Sequence, residues 1–409
     1  GIRETMTFDE LEAYFSKINC GAYDRENYDK YLKATKFTFN IPSIHITGTN
    51  GKGSTANYLY NIYLKAGYKV GLYNSPYLNS VDEMISINGC TIIQDEYLNI
   101  FNEFKDTFEK FHLSAFEMQT ILAYELFKRA NLDLVIIEVG MGGYIDATNI
   151  ITPKLSIITS VSLEHTNYLG YSTSEIAYNK AGIIKERVPA LIGEVDEDAM
   201  FAINERAKKM KAEIRRIPGY FNEKVQENLV IFDCHALKEV ELNTSSMYQA
   251  RNANIAIEAV KLLQSLFPVS EDVVRDGLKC KMLDCRFEWI DKNILIDGAH
   301  NPEAIRCLVD AIKITIQKPI HVVFACFRDK HFSAMLNLLD EISTDITITT
   351  FDHPRAKTKD EYLLFLETYK FADNFIEKVN ELKKEFPDDV ILITGGLYFA
   401  GLAKRELLK

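Results

Sequence analysis

The chain has 409 residues, 47% hydrophobic and 26% charged, a composition that suits folded domains and leaves room for two cores. Lysine and arginine total 47 against 58 aspartate and glutamate, a net charge of −11, so the overall field favours neither nucleic acid nor an anionic membrane as partner. No stretch nears the ~18 unbroken apolar residues of a membrane span. The first residues lack the basic-then-apolar run of a signal peptide. Seven scattered cysteines (20, 90, 234, 280, 285, 307 and 326) contain no C-x-x-C pair, which argues against a disulfide framework or a zinc site. The expectation is a reduced, cytoplasmic protein.

Along the chain, short apolar runs alternate with helix-period segments, the mark of an α/β protein with a largely parallel sheet. "SIHIT" (43–47) reads as a strand, and 54–67 as a helix carrying Tyr58, Leu59, Ile62, Tyr63 and Ala66 on one face. "KVGLYNS" (69–75), "LDLVIIEVG" (132–140) and "KLSIITSVS" (154–162) follow as strands, the last two apolar enough to be covered on both faces. Shorter, more polar β segments occupy 213–245, followed by helices at about 247–266 and 271–281. Near 282–287 the pattern restarts. "FEWIDKNILIDGAHNP" reads as two strands around a polar turn, then a helix opened by Pro302. Strands recur at "IHVVFACF", "DITITTF" and "DVILITGG". The expected division is a first domain over 1–284 and a second over 285–409.

"HITGTNGKGSTANYL" (45–59) poses the sharpest question, because it resembles a phosphate loop without the usual G-x-x-x-x-G-K-[ST] spelling. Its place, after a buried strand and before a helix, is what an anion cradle needs: backbone N–H groups converge there, glycines permit close approach, and Lys52 supplies charge. Thr49, Asn50, Gly51, Lys52, Gly53 and Ser54 are therefore the candidate phosphate-binding residues. Gly53 stands where a magnesium-binding hydroxyl is usual, so another oxygen must serve. Glu138 ends a buried strand, where it needs either a cation or several hydrogen bonds. Taken alone, His165 reads as a loop histidine, Lys185 as a surface lysine, and Asp297 and His300 as part of an Asp-Gly turn with no required function.

"HITGTNGKGS", "YNSPYL", "IEVGMGGYIDATN", "SLEHTNYLGYSTSEIAYNKAGIIK", "IDGAHNP", "HPRA" and "ITGGLYFAG" resemble, in order, motifs of the folylpolyglutamate and dihydrofolate synthases, members of the Mur ligase superfamily of ATP-dependent amide ligases. The resemblance spans roughly 40–400 and includes the Gly-Lys-Gly-Ser spelling. It implies a P-loop NTPase-like ATPase domain with a mostly parallel sheet, plus a smaller Rossmann-like C-terminal α/β domain. It also implies ATP and two magnesium ions, with Ser75, Glu138, His165 and a carbamylated Lys180 as metal ligands. Asn252 would meet the adenine, and Arg286, Asp297 and His300 the phosphates and ribose. Lys52, Lys180, His165 and Glu138 form the implied catalytic set.

The implied substrates are L-glutamate and a folate or dihydropteroate, joined through an acyl phosphate by a monomeric enzyme. "SAFEMQT" (114–120), with Phe116 and Glu117, resembles the substrate region, to which Asp146 also belongs. Tyr77 and Met84 depart from the residues common there, His and Arg. Loss of a cationic side chain at 84 leads to the expectation that tetrahydrofolate is preferred over dihydropteroate. A P-loop phosphotransferase or a non-catalytic nucleotide-binding module would share the cradle, but neither uses the Glu138–His165–Lys180 set or a second domain.

Overall fold

The computed structural model describes residues 6–18, 24–75, 81–162, 172–280, 286–328 and 330–409. By internal contact the chain forms two units, one drawn from 1–161, 171–217 and 255–278, the other from 162–170, 218–254 and 279–409.

The first unit is built on strands β1 (Ser43–Thr47), β2 (Val70–Tyr73), β3 (Ile85–Ile87), β4 (Cys90–Thr91), β5 (Leu134–Glu138), β6 (Leu155–Ser160), β7 (Ala190–Glu194) and β8 (Ile214–Arg216). They hydrogen-bond in the order β4-β3-β2-β5-β1-β6-β7-β8. Pairing is parallel from β2 through β8, and β3 and β4 add an antiparallel edge. β1, β5 and β6 are buried at every position; β5 is an almost unbroken apolar run, while β1 and β6 also bury Ser43, His45 and Ser156. Ile46 lies opposite both Glu138 and Ile157, so the three central strands deliver their last, polar residues to one edge. The chain order reverses at β1, and open α/β sheets bind ligands at such a point.

The helix after β1 runs Lys52–Lys65, two residues earlier than its apolar spacing suggests. Its burial also differs from the expected single apolar face: every residue from Gly53 to Tyr60 is buried. The reason is the helix Glu271–Leu278, which packs on it and brings Gly277 so close that an added Cβ would lie 2.5 Å from Ile62 Cα. An aromatic-rich core, including Tyr73, Phe101, Phe108 and Phe127, fills the β2–β5 side.

The second unit holds a three-stranded antiparallel sheet of β9 (Tyr220–Gln226), β10 (Leu229–Cys234) and β11 (Val240–Leu242). Its larger sheet comprises β12 (Glu288–Asp291), β13 (Ile294–Asp297), β14 (Ile320–Phe324), β15 (Asp345–Thr349), β16 (Lys370–Ala372) and β17 (Val390–Thr394). Their order is β12-β13-β17-β14-β15-β16, parallel except for β12. The segment 218–254, counted by sequence in the first domain, groups by contact with this unit, where the Tyr248 hydroxyl reaches Asp297 at 3.1 Å. At the opposite end of the sheet, His321 on β14 bonds Asp345 at 2.6 Å and Asp389 at 2.8 Å.

Helix propensity alone makes Gly277→Ala favourable by about 1 kcal/mol. The contact with Ile62 backbone opposes it, and overpacking typically costs about 1–3 kcal/mol. Packing wins, so the variant should unfold at a lower temperature than the parent in a thermal melt; a higher midpoint would refute the tight helix pair.

Candidate functional site

At the end of β1 the backbone turns through Gly48 and Gly51, whose φ values of 155° and 84° suit glycine. A Cβ at Gly48 would fall on the Thr159 hydroxyl, so only glycine fits against β6 there. Thr49 N–H donates to Ser160 O at 3.0 Å, and Asn50 N–H to Ser160 Oγ at 3.0 Å. On the other side, Thr47 Oγ1 donates to Gly142 O, and Lys52 Nζ to Gly140 O at 3.1 Å. The first helix bond, Thr55 N–H to Gly51 O, leaves the earlier N–H groups at the helix mouth, the geometry an anion requires.

Glu138 is buried at the end of β5, and Ser75 N–H approaches its Oε2 at 3.4 Å. Ser75 Oγ is itself buried and has no hydrogen-bond partner among the described residues. A carboxylate beside an unpaired hydroxyl suits a hard cation that prefers oxygen. Among the described residues no group of three or more histidine, cysteine or acidic side chains is arranged to hold a metal. Lys180 is 2% exposed in the helix Thr173–Ala181, which Tyr144 N–H ties to the 140–149 loop through Asn179 O at 2.8 Å. The structure thus brings Lys52, Ser75, Glu138 and the Gly140 loop together, with the helix of Lys180 bonded to that loop. His165 and Tyr77 lie outside the described residues.

Several residues assigned by sequence to the substrate region have internal partners. Asp146 accepts from Gly140 N–H, Met141 N–H, Thr148 N–H and Thr148 Oγ1, at 2.6–3.3 Å, and so shapes the 140–148 loop. Glu117 forms a reciprocal capping box with Ser114 at the start of the helix Ala115–Arg129. Met84 is 3% exposed and packs in the first core. Phe116 stacks on Tyr73, with ring centroids 6.3 Å apart, and leaves no room for a Cβ at Gly140.

Beneath the loop, burial and then the nearby Lys185 push the His45 imidazole down to about 3, so it is neutral. Thr148 spends its proton on Asp146, which makes His45 Nε2 the donor to Thr148 Oγ1 at 2.8 Å. Lys185 is not the surface lysine expected from sequence. It is partly buried, and that burial, with Arg206 and Arg25 nearby, lowers its ammonium to about 8.

In the second unit, β13 ends at buried Asp297, which accepts from Ala299 N–H at 2.8 Å, Phe287 N–H at 2.9 Å and the Tyr248 hydroxyl at 3.1 Å. Burial raises its carboxyl, partly countered by Arg286, whose Nη1 lies 2.5 Å from where a Gly298 Cβ would stand. His300 Nδ1 lies 3.3 Å from Gly298 O, and Asn301 caps the helix Pro302–Thr315. Asn252 is buried, donates to Gln249 at 3.0 Å and keeps Oδ1 unpartnered among the described residues. Two contributions escaped sequence reasoning: the Thr159 and Ser160 hydroxyls behind the cradle, and Tyr248 beneath Asp297. The first pair sits inside an apolar strand run and the second just before a helix, where nothing in the spacing marks them.

The family description "Mur ligase middle domain" matches residues 46–260, and "Mur ligase, glutamate ligase domain" matches 285–397. Over 384 residues the chain is 33% identical to the folylpolyglutamate synthase of Lacticaseibacillus casei, covering 89% of this chain and 90% of that one. It is 31% identical over 398 residues to the dihydrofolate synthase/folylpolyglutamate synthase of Bacillus subtilis, with 90% of each covered. Among solved structures, Mycobacterium tuberculosis folylpolyglutamate synthase complexed with ADP superposes with a TM-score of 0.90 at 25% identity, covering 98% of both chains. Escherichia coli FolC in complex with DHPP and ADP gives 0.86 at 28% identity, covering 98% of this chain and 97% of that one.

Three donors converge on Asp297, so Asp297→Ala should destabilise the second unit by about 2–4 kcal/mol, as buried donors are left unpaired. Asp297→Asn keeps one acceptor oxygen and should lose less. Urea unfolding of both variants checks the order, and equal stability of Asp297→Ala and parent would contradict it.

Proposed function

The chain belongs to the Mur ligase family, and from that premise we propose that it is a folylpolyglutamate synthase. It joins L-glutamate to the γ-carboxylate of a tetrahydrofolate while cleaving ATP to ADP and phosphate. The observation that carries this reading is the cradle of Lys52 beside Glu138 and the Ser75 hydroxyl, which has no partner among the described residues, in a chain matching both ligase domains. A second reading, addition of glutamate to dihydropteroate by the same site, is favoured by relatives named for both activities and by a neighbour solved with DHPP and ADP.

In the proposed reaction, an acceptor carboxylate oxygen attacks the γ-phosphate and ADP leaves. The amine of glutamate then attacks the acyl carbon, and phosphate departs as the amide forms. Both steps gather negative charge, so the protein's part is mainly positioning and electrostatic. Helix-mouth N–H groups and Lys52 hold the phosphates, for which Lys52 exchanges the Gly140 carbonyl. Ser75 and Glu138 are proposed to hold magnesium, which would neutralise phosphate charge when bound. A second ion is assigned to His165 and Lys180, the latter as a carbamate; its neutral amine would add to carbon dioxide and release a proton. Asn252 Oδ1, an acceptor without a partner among the described residues, suits an exocyclic amine such as that of adenine. Arg286 and His300 are assigned to the nucleotide, whereas Asp297 is proposed to act by holding the backbone on either side of them. The functional domains are proposed as 1–284 and 285–409. The domain described for glutamate ligation also presents Arg355, whose guanidinium sits 4.6 Å over the Phe327 ring, as a partner for glutamate carboxylates.

ADP release by the purified protein should require glutamate together with a pteroyl acceptor. Tetrahydrofolate and dihydropteroate assayed side by side separate the two readings, and turnover independent of glutamate would sink both. Lys52→Ala should abolish ADP release with an unchanged melting temperature, because its ammonium faces the cradle rather than the core. Lys180→Ala should lose activity and recover part of it in acetate, which can replace the missing anionic oxygens; full activity without acetate would remove Lys180 from the metal site.

A further inference from the structure

The phosphate loop is held from behind by two hydroxyls on the last two residues of β6. Thr159 Oγ1 donates to Asn50 O at 2.6 Å. Ser160 Oγ donates to the same carbonyl at 3.1 Å and accepts Asn50 N–H at 3.0 Å. Both residues are 1% exposed, so neither hydroxyl is placed to touch a ligand. Together they satisfy both backbone polar groups of Asn50 and turn that residue's backbone toward the sheet. The loop's next N–H groups are thereby set at the helix mouth, ahead of the first helix bond at Thr55. Thr159 also explains Gly48, because its hydroxyl takes the space a Cβ would need.

We propose that Thr159 and Ser160 are positioning residues for the nucleotide, a hydroxyl clamp that pre-forms the phosphate loop before ATP arrives. A loop already fixed in its binding conformation spends none of the ligand's binding energy on ordering itself. Removing the clamp takes the Ser160 acceptor from the Asn50 N–H and the Thr159 donor from its carbonyl in a half-buried place, and the loop then relaxes away from the conformation that meets phosphate. The idea rests on a nucleotide occupying this loop, and not on which acceptor is glutamylated.

Two substitutions at 159 separate hydrogen bonding from packing. Thr159→Val keeps the shape and loses the hydroxyl, while Thr159→Ser keeps the hydroxyl and loses a methyl. Ser160→Ala removes the other arm without adding an atom that could press on Gly48. ADP binding to the full chain is measured by calorimetry, with a thermal melt on each variant. On the clamp's account Thr159→Val and Ser160→Ala each weaken ADP about tenfold or more, and Thr159→Ser stays within about twofold of the parent. A packing role predicts the reverse order at 159, with serine the worse variant, and that result overturns the proposal. So does ADP affinity equal to the parent in both hydroxyl-less variants, or a parent that binds no ADP. A parent that binds ADP and shows the expected order, yet forms no glutamyl product, leaves the clamp standing and removes only the ligase reading.

Discussion

Burying a parallel sheet on both faces leaves each of its polar groups in need of a partner, and the first unit depends on how those at the strand ends are satisfied. β1, β5 and β6 are buried at every position and present Thr47, Glu138, Thr159 and Ser160 at one edge. Each needs a partner, because an unpaired polar group there costs about 1–3 kcal/mol. Thr47 finds the Gly142 carbonyl, Thr159 and Ser160 find Asn50, and Glu138 finds Ser75 N–H. The loop after β1 is therefore stitched to the strand on either side. The proposed phosphate cradle is the part of this edge where the first turn of a helix presents its N–H groups.

The same constraint explains what was legible in the sequence. Strand–helix alternation, the buried runs at 132–140 and 154–162, and the strand–loop–helix setting of Lys52 all leave a periodic or compositional trace, and the observed strands lie where it puts them. The all-round burial of the helix Lys52–Lys65 left none, because it depends on a partner helix more than 200 residues away in sequence, Glu271–Leu278. Thr159 and Ser160 were also invisible, since a hydroxyl inside a strand reads the same whether it bonds its own ladder or a neighbouring loop. Lys185 shows a further limit: its depressed ammonium comes from burial and from Arg206 and Arg25, all set by tertiary structure.

Residues that the family resemblance puts in the substrate region also carry a local signal of their own. Ser114-x-x-Glu117 before an apolar helix is the spelling of a capping box, and the side chains do form one. Asp146, two residues before Thr148, has the spacing of an aspartate that bonds the backbone ahead of it, and it does so. Met84 sits where methionine is at home, in an apolar core. In each case the local spelling accounts for the contacts the side chain makes within its own unit.

Hydrogen-bond satisfaction then gives a way to sort the polar residues near a site. Asp146 and Asp297 have their oxygens engaged by several donors of their own unit, so their first duty is to hold backbone in place. Ser75 Oγ and Asn252 Oδ1 are buried and lack partners among the described residues, which native proteins rarely tolerate without a reason. An atom in that state has already lost its water and gains fully from a ligand that meets it. Within its own unit, Ser75 beside Glu138 has an oxygen that suits a cation, and within the other unit Asn252 has an acceptor that suits a donor. Polar groups already satisfied inside a unit hold its backbone in shape, and those without a partner among the described residues are where a ligand has most to add.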